Sequence, residues 1–144
     1  YGRIYINWTD ARHGDDDLDV FICYSDDGGL TWSDAIRVND DEKGSQQFFT
    51  WMSVDPKNGG IHIIFYDRRA HNDAYTDVYV ASSFNGAKSW TNRLVSQSSF
   101  LPRGQVFFGD YNNISAIDGH IRPIWTREDN GKLTIWTALL ELVK

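Results

Sequence analysis

Apolar side chains recur at every second position in short runs, and loops rich in Asp, Gly and Ser separate those runs. Ile4, Ile6 and Trp8 alternate with Tyr5 and Asn7, after which Asp10 to Asp17 intervene. Val20, Ile22 and Tyr24 alternate with Phe21 and Cys23, so this run is apolar on both faces. The design returns with Ile61, Ile63 and Phe65 against Ile64 and Tyr66, and then with Val78 and Val80 against Tyr79 and Ala81. A period of two bounded by turn residues predicts β-strands. No segment carries a sustained 3.6-residue stripe, so essentially no helix is expected.

The runs belong to an internal repeat. Trp8-Thr9-Asp10, Phe65-Tyr66-Asp67 and Trp125-Thr126-Arg127 are spaced by 57 and 60 residues. Asp19-Val20-Phe21, Asp77-Val78-Tyr79 and Thr134-Ile135-Trp136 follow at 58 and 57, and Ser25 to Trp32 recurs as Ser83 to Trp90 at 58. Four strands in about 58 residues, buried on both sides, describe a propeller blade, because an antiparallel sandwich usually leaves one face wet. The expected fold is all-β: about 2.5 four-stranded antiparallel blades of a partial propeller. Residues 1–39 supply the second to fourth strands of one blade, 46–96 a complete blade, and 105–144 the first three strands of another. Propellers close with roughly 4–8 blades, so the expected partners include the remaining blades of a parent chain. The start at Tyr1 and the single Met, Met52, fit a piece cut from a longer protein. Pro123 lacks a ladder donor and predicts a bulge or a missing bond.

Ser25-Asp26-Asp27-Gly28-Gly29-Leu30-Thr31-Trp32 fits Ser-x-Asp-x-Gly-x-Thr-Trp. The Asp side chain can accept from backbone N–H groups of its own turn, Gly permits a positive φ, and Trp32 covers the turn. Ser83-Phe84-Asn85-Gly86-Ala87-Lys88-Ser89-Trp90 is a weakened copy. The pattern resembles the Asp-box, or BNR repeat, of the sialidase superfamily of β-propellers. The resemblance implies that Ser25, Asp27, Gly29, Thr31 and Trp32, with Ser83, Asn85 and Trp90, form structural hairpins between the third and fourth strands, away from the catalytic face.

The opposite face holds the loops between second and third strands: Asp10 to Asp17, Asp67 to Asp73, and Arg127 to Asn130. Connections between blades add Asp40, Asp41, Glu42 and Arg103. Four arginines (Arg12, Arg68, Arg69 and Arg127) therefore follow strand ends on one face, and Arg suits bidentate carboxylate recognition. Gly109-Asp110-Tyr111 adds a Tyr that a 60-residue offset aligns with Trp51, at the start of an innermost strand. The sialidase resemblance implies an arginine grip on a sugar carboxylate, with Asp67 beside it, and Tyr111 as a nucleophile assisted by Glu128 or Asp110. A neutral phenol avoids repulsion from the carboxylate at the anomeric centre, and Tyr nucleophiles are a known departure from the two-carboxylate rule. It also places the family's first arginine and its acid/base Asp in blades preceding this segment. The implied activity is hydrolysis of terminal sialic acid or a related sugar from extracellular glycans, by a secreted or cell-surface protein. The alternative is a non-catalytic propeller that binds glycan or protein. On the residues alone, Asp10/Arg12 and Asp67/Arg69 also read as repeated loop salt bridges.

The chain has 144 residues, 20 acidic and 14 basic, for a net charge of −6. That balance argues against non-specific nucleic-acid binding, which needs a basic footprint. No apolar run approaches the roughly 18 residues of a membrane helix. A lone Cys23, read as a small core hydrophobe, excludes a disulfide framework and a Cys-based zinc site. Asp15, Asp17 and Asp19 make an acidic loop with oxygen ligands of the kind Ca²⁺ takes, although without EF-hand spacing. No cofactor or zinc is expected: the four histidines read as scattered, and His62 as packed within a strand. Finally, unpaired blade edges and uncovered apolar faces at both ends predict self-association.

Overall fold

A computed structural model describes residues 2–42, 44–103 and 107–142. Eleven strands form three antiparallel sheets, and no helix occurs among the described residues, hence none able to cross a membrane. The first sheet runs β1 (Ile4–Asp10), β2 (Asp19–Ser25), β3 (Ile36–Arg37). The second runs β4 (Gln47–Val54), β5 (Ile61–Asp67), β6 (Asp77–Ser83), β7 (Thr91–Leu94). In the third, β8 (Asn113–Ile117) and β10 (Lys132–Thr137) flank β9 (His120–Asp129), and β11 (Leu140–Glu141) continues along the β10 edge.

Alternation assigns each strand face to a neighbouring sheet. Ile61, Ile63 and Phe65 of β5 pack with Val20 and Ile22 of β2, and Tyr5 and Met52 border this cluster. Ile64 and Tyr66, from the other face of β5, join Val78 and Val80 and meet Ile114, Ala116, Ile121 and Trp125 of the third sheet. The middle sheet is thus covered on both sides, as in a propeller-like stack. Each fully buried Ile, Val or Phe contributes about 1.5–3 kcal/mol, so these two clusters carry the fold. The middle sheet covers opposite faces of its two neighbours, which leaves the other face of each open. Ile4 and Ile6 are exposed on the first sheet, and Ile117, Ile124 and Ile135 on the third. Cys23, opposite Ile6, is half-buried rather than a core residue, and burial pushes its thiol up.

Two connections between third and fourth strands are self-bonded hairpins. The Ser25 hydroxyl accepts from Gly29 N–H at 2.9 Å, and Asp27 accepts from Thr31 N–H at 2.9 Å and its hydroxyl at 2.5 Å. Trp32 Nε1–H donates to the Gly29 carbonyl at 3.1 Å. The second hairpin repeats this geometry with weaker chemistry: Ser83 Oγ accepts from Ala87 N–H, and Asn85 Oδ1 from Ser89 N–H. Ala87 adopts φ 72°, near the φ 92° of Gly29. The turn keeps its left-handed residue even where a methyl resists it.

Pro123 does interrupt its sheet. Its carbonyl accepts from the Thr137 hydroxyl at 2.7 Å, so its donor-less nitrogen faces the same edge. Opposite it, the ladder lapses over Ala138 and Leu139, which divides β10 from β11 without a change of register.

Candidate functional site

At the β5 end, Asp67 turns back on its own loop. Its carboxylate accepts from Arg69 N–H at 2.7 Å and Arg69 Nε–H at 2.8 Å, an Asx-type turn closed by an ion pair. Arg69 also meets Asp40 and, at 3.8 Å, Asp41, and lies over the Tyr79 ring. Burial would lower this guanidinium, but Asp67 and Asp40 outweigh it and leave it raised. The first sheet repeats the device: Arg12 pairs with Asp10 at 2.6 Å and covers the Phe21 ring. Arg127 pairs with Asp129 at 2.6 Å and donates to the Ser98 carbonyl. Three of the four arginines therefore already hold carboxylates two residues away. The third loop expected in the sequence is also shorter: Arg127, Glu128 and Asp129 lie within β9, and only Asn130-Gly131 turns.

Arg68 differs from the rest. No carboxylate lies within ion-pair distance of it among the described residues. Its guanidinium donates to the Gln46 side chain and to Thr76 Oγ1 at 3.3 Å, and sits 4.9 Å above the Phe48 ring. Burial lowers it. It lines an open cavity of about 390 Å³ with Gln46, Arg69, His71, Asn72 and Asp73. A positive group held by neutral partners at a cavity wall is electrostatically ready for an anion.

His71 marks a feature the sequence reading missed. Its Nε2 lies 3.0 Å from Asp77 Oδ2. His13, 58 residues earlier, lies 2.5 Å from Asp19 Oδ2 through Nδ1. Both histidines latch the loop to the first residue of the following strand, at the repeat's own spacing. They were therefore not scattered, and the 58-residue interval was the signal that could have found them. His62, by contrast, is fully buried with Nδ1 against the Ser82 hydroxyl, and burial lowers it.

The acidic loop assembles differently from the expected Asp15, Asp17, Asp19 trio. Asp15 is exposed, and the converging set is His13, Asp17 and Asp19, with ligand atoms within 4.8 Å of one another. Both Asp19 oxygens are already used by Asn39, Arg37 and His13, and Asp17 accepts from Gly44 N–H. These donors engage both Asp19 oxygens and one Asp17 oxygen as parts of the fold.

Tyr111, Asp110 and Glu128 do not converge. Tyr111 is 76% exposed, edge-on to Trp51 at 6.3 Å, in a shallow hollow with Asn112, Thr126 and Ile135. Its expected alignment with Trp51 fails by two residues. Trp51 pairs with Ile64 and Asn113 with the equivalent Ile124, because only four residues separate the paired Ala116 and Ile121 where six separate the equivalent Val54 and Ile61. Asp110 is exposed. Glu128 is 2% exposed and accepts from Arg103 N–H at 2.8 Å, lining a separate hollow with Tyr75 and Phe100. Among the described residues no carboxylate hydrogen-bonds the Tyr111 hydroxyl.

No family model matches the chain, and no curated protein sequence does. Its fold is similar to that of Zg3597, a family 117 glycoside hydrolase produced by the marine bacterium Zobellia galactanivorans. The TM-score is 0.50 at 14% identity, over 96% of this chain and 48% of that one. The chain thus spans about half the length of that structure, and at this identity the likeness concerns the fold alone.

Proposed function

We propose that the chain is a segment of a sialidase-like, glycan-acting propeller of the glycoside hydrolase kind, and that its cavity beside β5 receives the carboxylate of an acidic sugar such as sialic acid. The observation that carries this is Arg68, a guanidinium held at the wall of the cavity by Gln46 and Thr76 with no carboxylate partner among the described residues. The self-bonded hairpins at Ser25–Trp32 and Ser83–Trp90, like the Asp-box, and the fold likeness to a glycoside hydrolase support it. In this reading Arg12, Arg69 and Arg127 brace the loops through Asp10, Asp67 and Asp129. Arg68 makes the bidentate contact, and the remaining blades supply the rest of the catalytic set.

A second reading, a non-catalytic propeller that binds acidic glycans, is favoured by one observation. Tyr111 and Glu128 occupy hollows that exclude Arg68. Both readings predict that the chain binds N-acetylneuraminic acid more tightly than its uncharged methyl ester, and that Arg68→Gln removes the difference. Calorimetric titration tests this; equal affinity for acid and ester would overturn the carboxylate site. Hydrolysis of a fluorogenic sialoside by the full propeller, lost in Tyr111→Phe, separates enzyme from binding module.

A further inference from the structure

His71 lines the same cavity as Arg68 but belongs to a latch that recurs in the first sheet. The two latches are not alike. His13 meets Asp19 through Nδ1, whereas His71 meets Asp77 through Nε2. A carboxylate can only accept, so Nε2 of His71 carries the proton and Nδ1 is left for whatever enters the cavity. The backbone ties the two residues into one turn: His71 N–H donates to the Arg68 carbonyl at 3.0 Å, and both side chains line the cavity. The ring packs 6.0 Å from Tyr75.

We propose that His71 is a ligand-contacting group of this cavity: protonated at Nδ1, it joins Arg68 in holding the anionic group of an acidic sugar, so that acidification tightens binding. This rests on the proposed reading of the cavity as an acidic-sugar site and adds a second, titrating contact to it. The titratable and charged groups around His71 are Asp77 from β6, Tyr75 with its ring at 6.0 Å, and Arg68, Arg69, Asp73 and Asp16 of the cavity lining. Of the side-chain types gathered here, guanidinium and phenol ordinarily change charge well above neutrality and carboxyl near pH 4, which leaves imidazole as the type suited to respond between pH 5.5 and 7.5. Because an anion favours the imidazolium, affinity rises by about two- to fivefold over that window, the size of a partly exposed ion pair.

The fold supplies its own control. His13 makes its own His–Asp latch away from the cavity lining, so His13→Asn shows what loss of a latch does when no imidazole is removed from the cavity. The experiment is titration of the chain with N-acetylneuraminic acid and its methyl ester at pH 5.5 and 7.5. Wild type and His13→Asn are expected to tighten toward the acid on acidification, the ester is expected to show no pH dependence, and His71→Asn is expected to lose the effect. NMR titration of the His71 ring in the wild-type chain, with and without the acid, needs no variant to fold; bound ligand should move its midpoint upward. A His71→Asn variant that keeps the pH dependence, or a ring titration unmoved by ligand, overturns this inference alone. Absence of binding by wild type at both pH values overturns the cavity reading and this inference together.

Discussion

The contact between the second and third sheets can be tested at a single atom. Tyr66 is 1% exposed, and its hydroxyl donates to the Thr126 carbonyl of β9 at 2.6 Å. Its ring is enclosed by Phe48, Phe49, Phe100 and Phe108 at centroid distances of 5.4, 5.9, 5.8 and 5.3 Å, and burial pushes the phenol up. Tyr66→Phe keeps the ring and its packing but leaves the carbonyl without this donor. A net hydrogen bond contributes about 0.5–1.5 kcal/mol, and an orphaned buried acceptor costs about 1–3. Thr126 is only half-buried, so the lower part of that range applies: about 1.5 kcal/mol. For a chain of this size that is about 3–6 °C in Tm. Tyr79→Phe is the control, because Tyr79 stacks on Phe65 at 6.3 Å and is only half-buried; its change should stay within about 0.5 kcal/mol. Thermal and urea unfolding followed by tryptophan fluorescence would measure both. Equal stability of the two variants would mean that the Tyr66 bond does not tie the sheets together.

Two further outcomes follow from the polar network and the open faces. Burial pushes the Asp19 carboxyl up, but hydrogen bonds from Asn39, His13 and Arg37 outweigh it and hold it below its ordinary value. The unfolded chain then binds the proton more readily, so this stabilisation is present above about pH 4 and is lost as pH falls through the folded value. Asp19→Asn should be less stable at pH 7 by about 3 kcal/mol and show a flatter acid limb in unfolding titrations; an unchanged acid limb would remove Asp19 from that role. Sedimentation velocity should show self-association of the chain at micromolar concentration, reduced by Ile6→Lys with Ile135→Lys on the two open faces. A stable wild-type monomer would show that those faces need no cover.

Much of the fold was legible because its signals are local. Strand alternation and the self-bonded hairpins each reside within a few residues, the 58-residue interval only repeats such local landmarks, and even the broken ladder opposite Pro123 follows from one missing donor. The site was less legible because its decisive facts lie between elements. Nothing in the order Asp67-Arg68-Arg69 says that Asp40, 29 residues earlier, would help occupy Arg69, while the neutral Gln46 and Thr76 would hold Arg68. The alignment of Tyr111 with Trp51 failed because a uniform offset ignores a turn shortened by two residues. The histidine latches were legible and were missed, since ligand spacing was sought where repeat spacing was the signal.

The most direct test of the proposed site is a crystal structure of the chain with bound N-acetylneuraminic acid. Its carboxylate is expected on the Arg68 guanidinium, within reach of the His71 ring. A ligand seated in the Tyr111 hollow with Arg68 still bonded only to Gln46 and Thr76 would contradict it.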